Sequence, residues 1–214
     1  MGEYKSLTQQ TYKNGEFEIV PIRYEDRLEI MKWRNEQIYH LRHSELLTFD
    51  KQDAYFNNTI APLFNEEKPN QILFSFLRSN ECIGYGGLVH INWIDRNAEI
   101  SFIMNTRLEE KSFSKNWSKF LAILEKVAFE ELSFHKIYTY AFDLRPHLYT
   151  VLEGNGFKRE AILKDHCLVE GEYKDVVIHS LINKDIELRK IESHDVDLTY
   201  SWASNSVIRQ YSLN

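Results

Sequence analysis

The sequence predicts a mixed α/β domain, in which helices pack on a sheet whose strands are largely antiparallel. Two observations support this class. Three apolar segments between residues 71 and 104 are separated by short polar turns, which is typical of an antiparallel meander. After them, residues 117–132 repeat apolar side chains at helical spacing. A sheet and an amphipathic helix bury their apolar faces against each other, so the two patterns together indicate one mixed domain.

The predicted elements follow in the order β-α-α-β-β-β-α-β-α-β-β. The first six are a strand at 17–23, a helix at 25–34, a helix that begins at the N-cap Asp50, and meander strands at 71–77, 82–93 and 99–104. The last five are the long helix, a strand at 136–142, a helix opened by Pro146, and strands that start at Phe157 and Val176. The domain therefore spans residues 17–183, with residues 1–16 as an N-terminal extension.

Composition restricts the class of protein. The chain has 214 residues, of which 43% are hydrophobic and 14% aromatic, enough for a sizeable core. A formal net charge of −6 argues against a dedicated nucleic-acid binder. Two cysteines without a secretory signal indicate a reducing compartment. Since no apolar run has the length of a membrane span either, we expect a cytoplasmic protein that binds neither nucleic acid nor membrane.

Residues 184–214 resemble the start of the same domain. Without gaps, residues 186–209 align with residues 17–40, and four pairs are identical: Glu18/Glu187, Ile22/Ile191, Asp26/Asp195 and Trp33/Trp202. Either the match is chance, or the chain contains the beginning of a second, truncated or vestigial copy. A second copy of this domain, or a homo-oligomer, is therefore a candidate partner.

Four strings carry a resemblance to a known family. They are AEISFIM (98–104), AFEELSFHKIYTYAF (128–142), LEGNGFKREAILKD (152–165) and YKDVVIHSL (173–181). In this order they resemble the fourth strand, the end of the cofactor helix with the fifth strand, the late Gly-Phe turn and the closing strands of the GNAT N-acetyltransferase family. The resemblance implies a GNAT-like fold over residues 17–183, with a central, mostly antiparallel twisted sheet that splays between strands 4 and 5 and is flanked by helices. It also implies acetyl-CoA as a co-substrate in that opening, beside Ile103 and Met104, and no metal.

The segment before the long helix is the predicted position of the cofactor pyrophosphate. A loop that enters a helix N-terminus suits a phosphate, and the family's loop is rich in glycine. Here EEKSFS (109–114) falls on that loop, with serines in place of the two glycines. The candidate ligands are Lys111, Ser112, Phe113, Ser114 and Lys115. They form either a remodelled cradle or a loop that no longer binds well, since a Cβ at a position of positive φ costs about 1 kcal/mol.

Candidate catalytic residues depart from the family pattern. Acetyl transfer needs a base for the amine proton and an acid for the leaving thiolate. By the resemblance, the acid is a tyrosine four residues before Gly-Phe, but Leu152 stands there, so Tyr149 is the candidate acid. Glu99 is the candidate base, with His90 as the alternative, and Arg145 would hold a CoA phosphate. Each of these side chains also has an ordinary structural interpretation.

The acceptor site is predicted in MKWRNEQIYHLRHSELLTF (31–49). This string resembles the segment that borders the acceptor pocket in GNAT enzymes acting on nucleotide-linked amino sugars. By that resemblance, Arg34 and Arg42 would pair with a diphosphate, and Trp33 would stack or pack there. The other interpretation is an amphipathic helix with ordinary surface arginines. No spacing of ligand residues indicates a metal site.

Two functions follow from these patterns. The first is an acyl-CoA-dependent N-acetyltransferase that acts on the primary amine of a small acceptor, with an amino sugar or a sugar nucleotide favoured. The second is a catalytically degenerate GNAT-like module with a scaffold or regulatory role. The missing glycines, Leu152 and the partial repeat favour the module. The lysines beside the serines, together with Glu99, favour the enzyme, and we expect an enzyme.

Overall fold

The computed structural model describes residues 2–42, 45–183 and Tyr200. The chain divides into two units, residues 1–183 and residues 184–214. The predicted partial repeat at 186–209 lies outside the described residues apart from Tyr200, and it stays a prediction.

An eight-stranded sheet lies at the centre of the described part of the chain. Its strands are β1 (Tyr12–Asn14), β2 (Phe17–Pro21), β3 (Ile72–Arg78), β4 (Glu81–Asn92), β5 (Asn97–Met104), β6 (Lys136–Phe142), β7 (Lys158–Val169) and β8 (Glu172–Ile182). The strand order is β1-β2-β3-β4-β5-β6-β8-β7. Neighbouring strands are antiparallel except for β5 and β6, which run parallel.

The parallel pair is also the point where the sheet opens. β5 and β6 pair only from Asn97 to Glu99 against Lys136 to Tyr138. Beyond Glu99, β5 continues to Met104 without a partner strand on that edge among the described residues. The predicted GNAT-like fold, with its splayed and mostly antiparallel sheet, is confirmed. The strands predicted as the fourth and fifth are numbered β5 and β6 in the structure, because the short strand β1 precedes the first predicted strand.

Helices cover the sheet. They are α1 (Arg27–Glu36), α2 (Phe49–Tyr55), α3 (Ala61–Leu63), α4 (Thr106–Glu125) and α5 (Pro146–Gly154). A π-helical turn, Phe56–Ile60, joins α2 to α3, and a second, Lys126–Glu131, extends α4. None of the described helices is both long and apolar enough to cross a membrane.

The core lies between α4 and the sheet. The ring of Phe120 on α4 stacks on Phe102 of β5 at 4.0 Å and meets Phe76 of β3 edge-on at 5.5 Å. Aromatic pairs of this kind contribute about 0.5–1.5 kcal/mol beyond the area that they bury. The apolar face predicted for the long helix is therefore the face that anchors it beside β5.

The N-terminal segment is integrated into the fold rather than extending from it. Tyr4 is 1% exposed, and its hydroxyl accepts a hydrogen bond from the Leu73 N–H and donates one to the Leu73 carbonyl. Leu7 and Tyr12 are buried too, and β1 pairs with β2. The sequence did not indicate this because these three apolar residues are scattered through a polar string and show no periodicity.

Candidate active site

A cavity of about 540 Å³ opens where β5 and β6 separate. Residues 100–103 of β5 and 139–142 of β6 form two of its walls, and Leu148 of α5 and Arg145, which precedes α5, line it as well. The backbone of β5 beyond Glu99 pairs with no strand on this edge within residues 2–42 and 45–183. An extended ligand that carries amide groups can therefore hydrogen-bond to β5 as an added strand would.

Glu99 lies at the last position where β5 pairs with β6, and it lines the cavity. The residue is 8% exposed. Arg42 Nη2 donates a hydrogen bond of 2.5 Å to Glu99 Oε1, and His90 Nε2 lies 3.9 Å from Oε2. Burial raises the pKa of the Glu99 carboxyl, and Arg42 and His90 oppose part of that increase. A carboxylate with a raised pKa accepts a proton more readily than an exposed glutamate does.

Arg42 forms the boundary between this cavity and a wider depression of about 890 Å³. Its guanidinium carbon lies 4.0 Å from the centre of the Tyr140 ring, and Nη2 is 3.4 Å from the Tyr140 carbonyl oxygen. Arg42 and Tyr140 line both spaces. A ligand in the depression therefore contacts the side chain that also binds Glu99.

The other end of the cavity contains Arg34. Its guanidinium donates a short hydrogen bond to the hydroxyl of Tyr85 on β4. The predicted neighbour Trp33 is in a different environment: it is 2% exposed, belongs to the hydrophobic core and lines neither space. The predicted acceptor contact by Trp33 is wrong, because α1 buries this side chain in the core.

Tyr149, the predicted acid, does not line the cavity. Its hydroxyl donates to Asp143 Oδ1 at 2.9 Å, and its ring stacks on His179. Burial and, after it, Asp143 raise the pKa of this phenol, so it releases its proton less readily. The cavity is lined here by Leu148 of α5 and by Arg145, the residue before its first turn. Tyr149 lies outside that lining, and its role as the acid stays a prediction.

Residues 109–114, which were predicted to form a loop, are part of a helix instead. α4 begins at Thr106 and continues to Glu125, with one non-helical residue, Ser112 (φ −146°, ψ 30°). The Ser112 hydroxyl donates to the Leu108 carbonyl and accepts from the Asn116 side chain. EEKSFS contains no glycine or proline to stop a helix.

The five candidate ligands of that segment lie apart from the cavity lining. Phe113 is buried against Trp117 and His147, whereas Lys111, Ser114 and Lys115 are exposed. Contact of any of them with cofactor phosphates stays a prediction.

Arg145 and Ile103 are the predicted cofactor ligands that do line the cavity. Arg145 Nη1 donates to Glu109 Oε1 at 2.8 Å and lies 2.9 Å from His40 Nε2. Burial and the charge of Arg145 lower the pKa of His40 to about 3, so this imidazole is neutral and can accept the hydrogen bond. Met104 is 1% exposed and lies in the core instead.

The hydroxyl groups of the cavity were not predicted from the sequence. Tyr55, Tyr85, Thr139 and Tyr140 line it. Thr139 is 4% exposed, and its hydroxyl has no hydrogen-bond partner in the described part of the chain. The alternation of KIYTYAF in β6 was the available signal, since a strand beside an opening can place polar side chains into it.

Solved structures with this fold include spermidine N-acetyltransferases. The Vibrio cholerae enzyme in complex with CoA and spermine has a TM-score of 0.69 and 22% identity, over 79% of this chain and 96% of that chain. The dodecameric Vibrio cholerae spermidine N-acetyltransferase in an intermediate state has a TM-score of 0.66 and 23% identity, over 79% and 95%. At this identity the likeness shows a common fold.

The family is shown by a sequence comparison. A comparison with curated proteins finds no match. In contrast, the family model for the acetyltransferase (GNAT) domain matches residues 19–178, which is most of the chain. This match confirms the predicted class of enzyme. The chain belongs to the GNAT acetyltransferase family.

Proposed function

We propose that the protein transfers an acetyl group from acetyl-CoA to the primary amine of a small acceptor that carries negative charge. The observation that supports this function is Glu99, a buried carboxylate with a raised pKa at the point where β5 and β6 separate. Buried carboxylates with raised pKa values are typical of general bases.

The residues of the cavity fit the thioester arm of acetyl-CoA. The unpaired edge of β5 beyond Glu99 would bind its amide groups, and Ile103 would pack against its chain. Arg145 would pair with a phosphate group. When bound there, acetyl-CoA supplies the acetyl group in activated form, as a thioester.

The reaction then requires two proton transfers, one from the amine and one to the leaving thiolate. Glu99 accepts, directly or through water, the proton that the amine loses as its nitrogen attacks the acetyl carbon. His90, whose side chain is 64% exposed and lies beside Glu99, can pass that proton to solvent. When the carbon–sulfur bond breaks, the thiolate needs a proton, and Tyr85 is a candidate donor in place of Tyr149 because its hydroxyl lines the cavity.

The charge of the cavity favours an anionic acceptor. Arg34, Arg42 and Arg145 line it together with one carboxylate, Glu99. A polyamine carries several positive charges and supplies no anion to these arginines, two of which already pair with a carboxylate, Arg42 with Glu99 and Arg145 with Glu109. An amino sugar linked to a phosphate or nucleotide would instead place its amine near Glu99 and its anion near an arginine. The resemblance of residues 31–49 to enzymes acting on nucleotide-linked amino sugars points the same way.

The alternative function is a catalytically degenerate module. The helix in place of the phosphate loop and the ion pair of Arg145 with Glu109 favour it. The two functions differ in a direct measurement, namely binding of acetyl-CoA.

The test is calorimetric titration with acetyl-CoA, followed by acetylation assays with a nucleotide-linked amino sugar, a free amino sugar and spermidine. We expect acetyl-CoA to bind and the anionic amine to be acetylated. Acetylation of spermidine alone would contradict the proposed acceptor class. Absence of acetyl-CoA binding at millimolar concentration would leave the module as the function.

A second copy of this chain is the protein partner that we propose. β7 forms one edge of the sheet and carries the exposed apolar residues Ile162 and Leu168. Long edge strands with exposed apolar side chains pair readily with another chain. Light scattering should give a mass above that of the monomer, and Ile162→Glu should lower it. A monomeric wild-type protein would contradict this assembly.

A further inference from the structure

We propose that Glu109 is an internal competitor for the phosphate-binding donors of Arg145, so that this carboxylate sets the affinity of the cavity for phosphate-bearing ligands. The inference rests on the proposed function in one respect only: CoA is taken as the natural phosphate-bearing ligand. Inorganic pyrophosphate tests the site without that assumption.

The pair is enclosed in the protein. Arg145 is 8% exposed, and the Glu109 side chain is 13% exposed. Arg145 lines the cavity beside Leu148, whereas Glu109 approaches it from the first turns of α4. Arg145 Nη1 donates to Glu109 Oε1 at 2.8 Å, and the ring of Phe113 lies 5.7 Å from the guanidinium carbon. The chain's own carboxylate therefore occupies the position of an anion at this arginine.

Some N–H donors of Arg145 have no acceptor within the described residues. A guanidinium group carries five N–H donors in a planar fork. Both hydrogen bonds of Arg145 within the described residues use Nη1, to Glu109 and to His40. Nε and Nη2 donate to no acceptor in the described part of the chain. A phosphate group, with several oxygens, can satisfy such donors in a bidentate arrangement that a single carboxylate oxygen does not provide.

The attraction between Glu109 and Arg145 offsets only part of the cost of removing their charges from water. Burial raises the pKa of Glu109 and lowers the pKa of Arg145, although each partner opposes the change in the other. In both groups, then, loss of solvent disfavours the charged form more than their attraction favours it. An entering phosphate can replace Glu109 at Arg145 and return that carboxylate toward water.

The kink in α4 allows such an exchange. Ser112 is non-helical, so residues 106–111 form a separate helical segment before residues 113–125. Phe113, Trp117 and Phe120 anchor the second segment in the core. Glu109 lies on the first segment and is not part of that packing, so its side chain can turn away from Arg145 without moving those three residues.

The experiment measures binding by calorimetry to the full chain, with pyrophosphate, CoA and pantetheine as ligands. Glu109→Gln removes the negative charge and keeps a side chain of the same size that can accept from Arg145. We expect this variant to bind pyrophosphate and CoA about tenfold more tightly than wild type, which corresponds to ~1.4 kcal/mol. Pantetheine has no phosphate, so its affinity should stay unchanged.

Glu110→Gln is the matched control, because it removes the same charge from the neighbouring exposed residue. It should leave all three affinities close to those of wild type. Arg145→Gln in the Glu109→Gln background should abolish the gain. Glu109→Asp, which keeps the charge but shortens the side chain, should bind pyrophosphate with intermediate affinity and serves as the second variant if Glu109→Gln unfolds.

The outcomes separate this inference from the proposed function. Equal pyrophosphate and CoA affinities in wild type and Glu109→Gln would overturn the competition, as would an equal gain in Glu110→Gln. A gain in Glu109→Gln with no acetyl transfer to any amine would support the competition and contradict the enzyme. Acetyl transfer by wild type, with no gain of affinity in Glu109→Gln, would support the enzyme and contradict the competition.

Discussion

Arg42 reaches from the protein surface to the buried carboxylate of Glu99. The side chain of Arg42 is 43% exposed and that of Glu99 is 11% exposed, and the hydrogen bond between them is 2.5 Å long. The Tyr140 ring beneath the guanidinium holds it in this position. A charge at the surface therefore influences the proton affinity of the candidate base, and because Arg42 faces solvent, salt weakens that influence.

Arg42→Gln should shift the pH dependence of acetyl transfer. Burial raises the pKa of Glu99 and Arg42 lowers it, so removing Arg42 raises it further. The base must be ionised to accept a proton, so activity rises with pH through this pKa. The acidic limb of a kcat/KM profile should therefore move to higher pH in the variant, and activity at alkaline pH should fall less than activity at acidic pH.

Lys32→Gln is the control for that profile. Lys32 is also an exposed cation, ten residues before Arg42 in the sequence. It pairs with Glu29 on α1 and lines neither cavity. Its profile should coincide with that of wild type. An acidic limb that moves to lower pH in Arg42→Gln, or does not move, would contradict the assignment of that limb to Glu99.

Glu99→Gln should lower kcat roughly 10²- to 10⁴-fold, the usual contribution of a general base. Glutamine keeps the size of the side chain and its contact with Arg42, so acetyl-CoA affinity measured by calorimetry should be unchanged. His90→Gln, which removes the exposed neighbour, should lower kcat by a smaller factor. If Glu99→Gln retained full kcat and His90→Gln did not, His90 would be the base.

Gly87→Ala should destabilise the sheet beside the cavity. Gly87 has φ +155°, and a Cβ at this position would lie 2.0 Å from the carbonyl oxygen of Ile72 on β3. Because the obstacle is backbone, β3 and β4 would have to separate. We expect a loss of about 1–3 kcal/mol in the free energy of unfolding, measured by denaturant titration.

Gly154→Ala provides the opposite case. Gly154 is the last residue of α5, and a Cβ there would have no heavy atom within 4 Å. Alanine should stabilise this variant by about 0.4–1 kcal/mol, chiefly because it restricts the unfolded chain. If both variants lost similar stability, close packing around Gly87 would not be the cause.

The fold was predictable because its signals are local. The meander, the apolar face around Phe120 and the helix opened by Pro146 each depend on residues a few positions apart. The burial of Tyr4 was not predictable in the same way, since its partner Leu73 is 69 residues away. Contacts across such distances leave no periodicity in the sequence.

The candidate site was predictable only in part. Glu99 and Arg42 were selected separately, one from a strand and one from a helical segment, and the structure brings them into contact. The predicted loop at residues 109–114 is helical because the helix begins at Thr106, only two residues after β5 ends. One additional helical turn then placed Glu109 opposite Arg145, and a pattern of residue types does not encode that pairing.

Tyr149→Phe tests the predicted acid. Three residues along a helix rotate a side chain by roughly 300°, so Tyr149 is turned about 60° away from the direction of Leu152. Its hydroxyl binds Asp143 outside the cavity. We therefore expect unchanged kcat with the best acceptor and a loss of about 0.5–1.5 kcal/mol in stability from the missing hydrogen bond.

Tyr85→Phe should instead lower kcat while acetyl-CoA still binds, because the Tyr85 hydroxyl lines the cavity. A large fall of kcat in Tyr149→Phe alone would restore Tyr149 as the acid, and it would require α5 to rotate when the substrates bind.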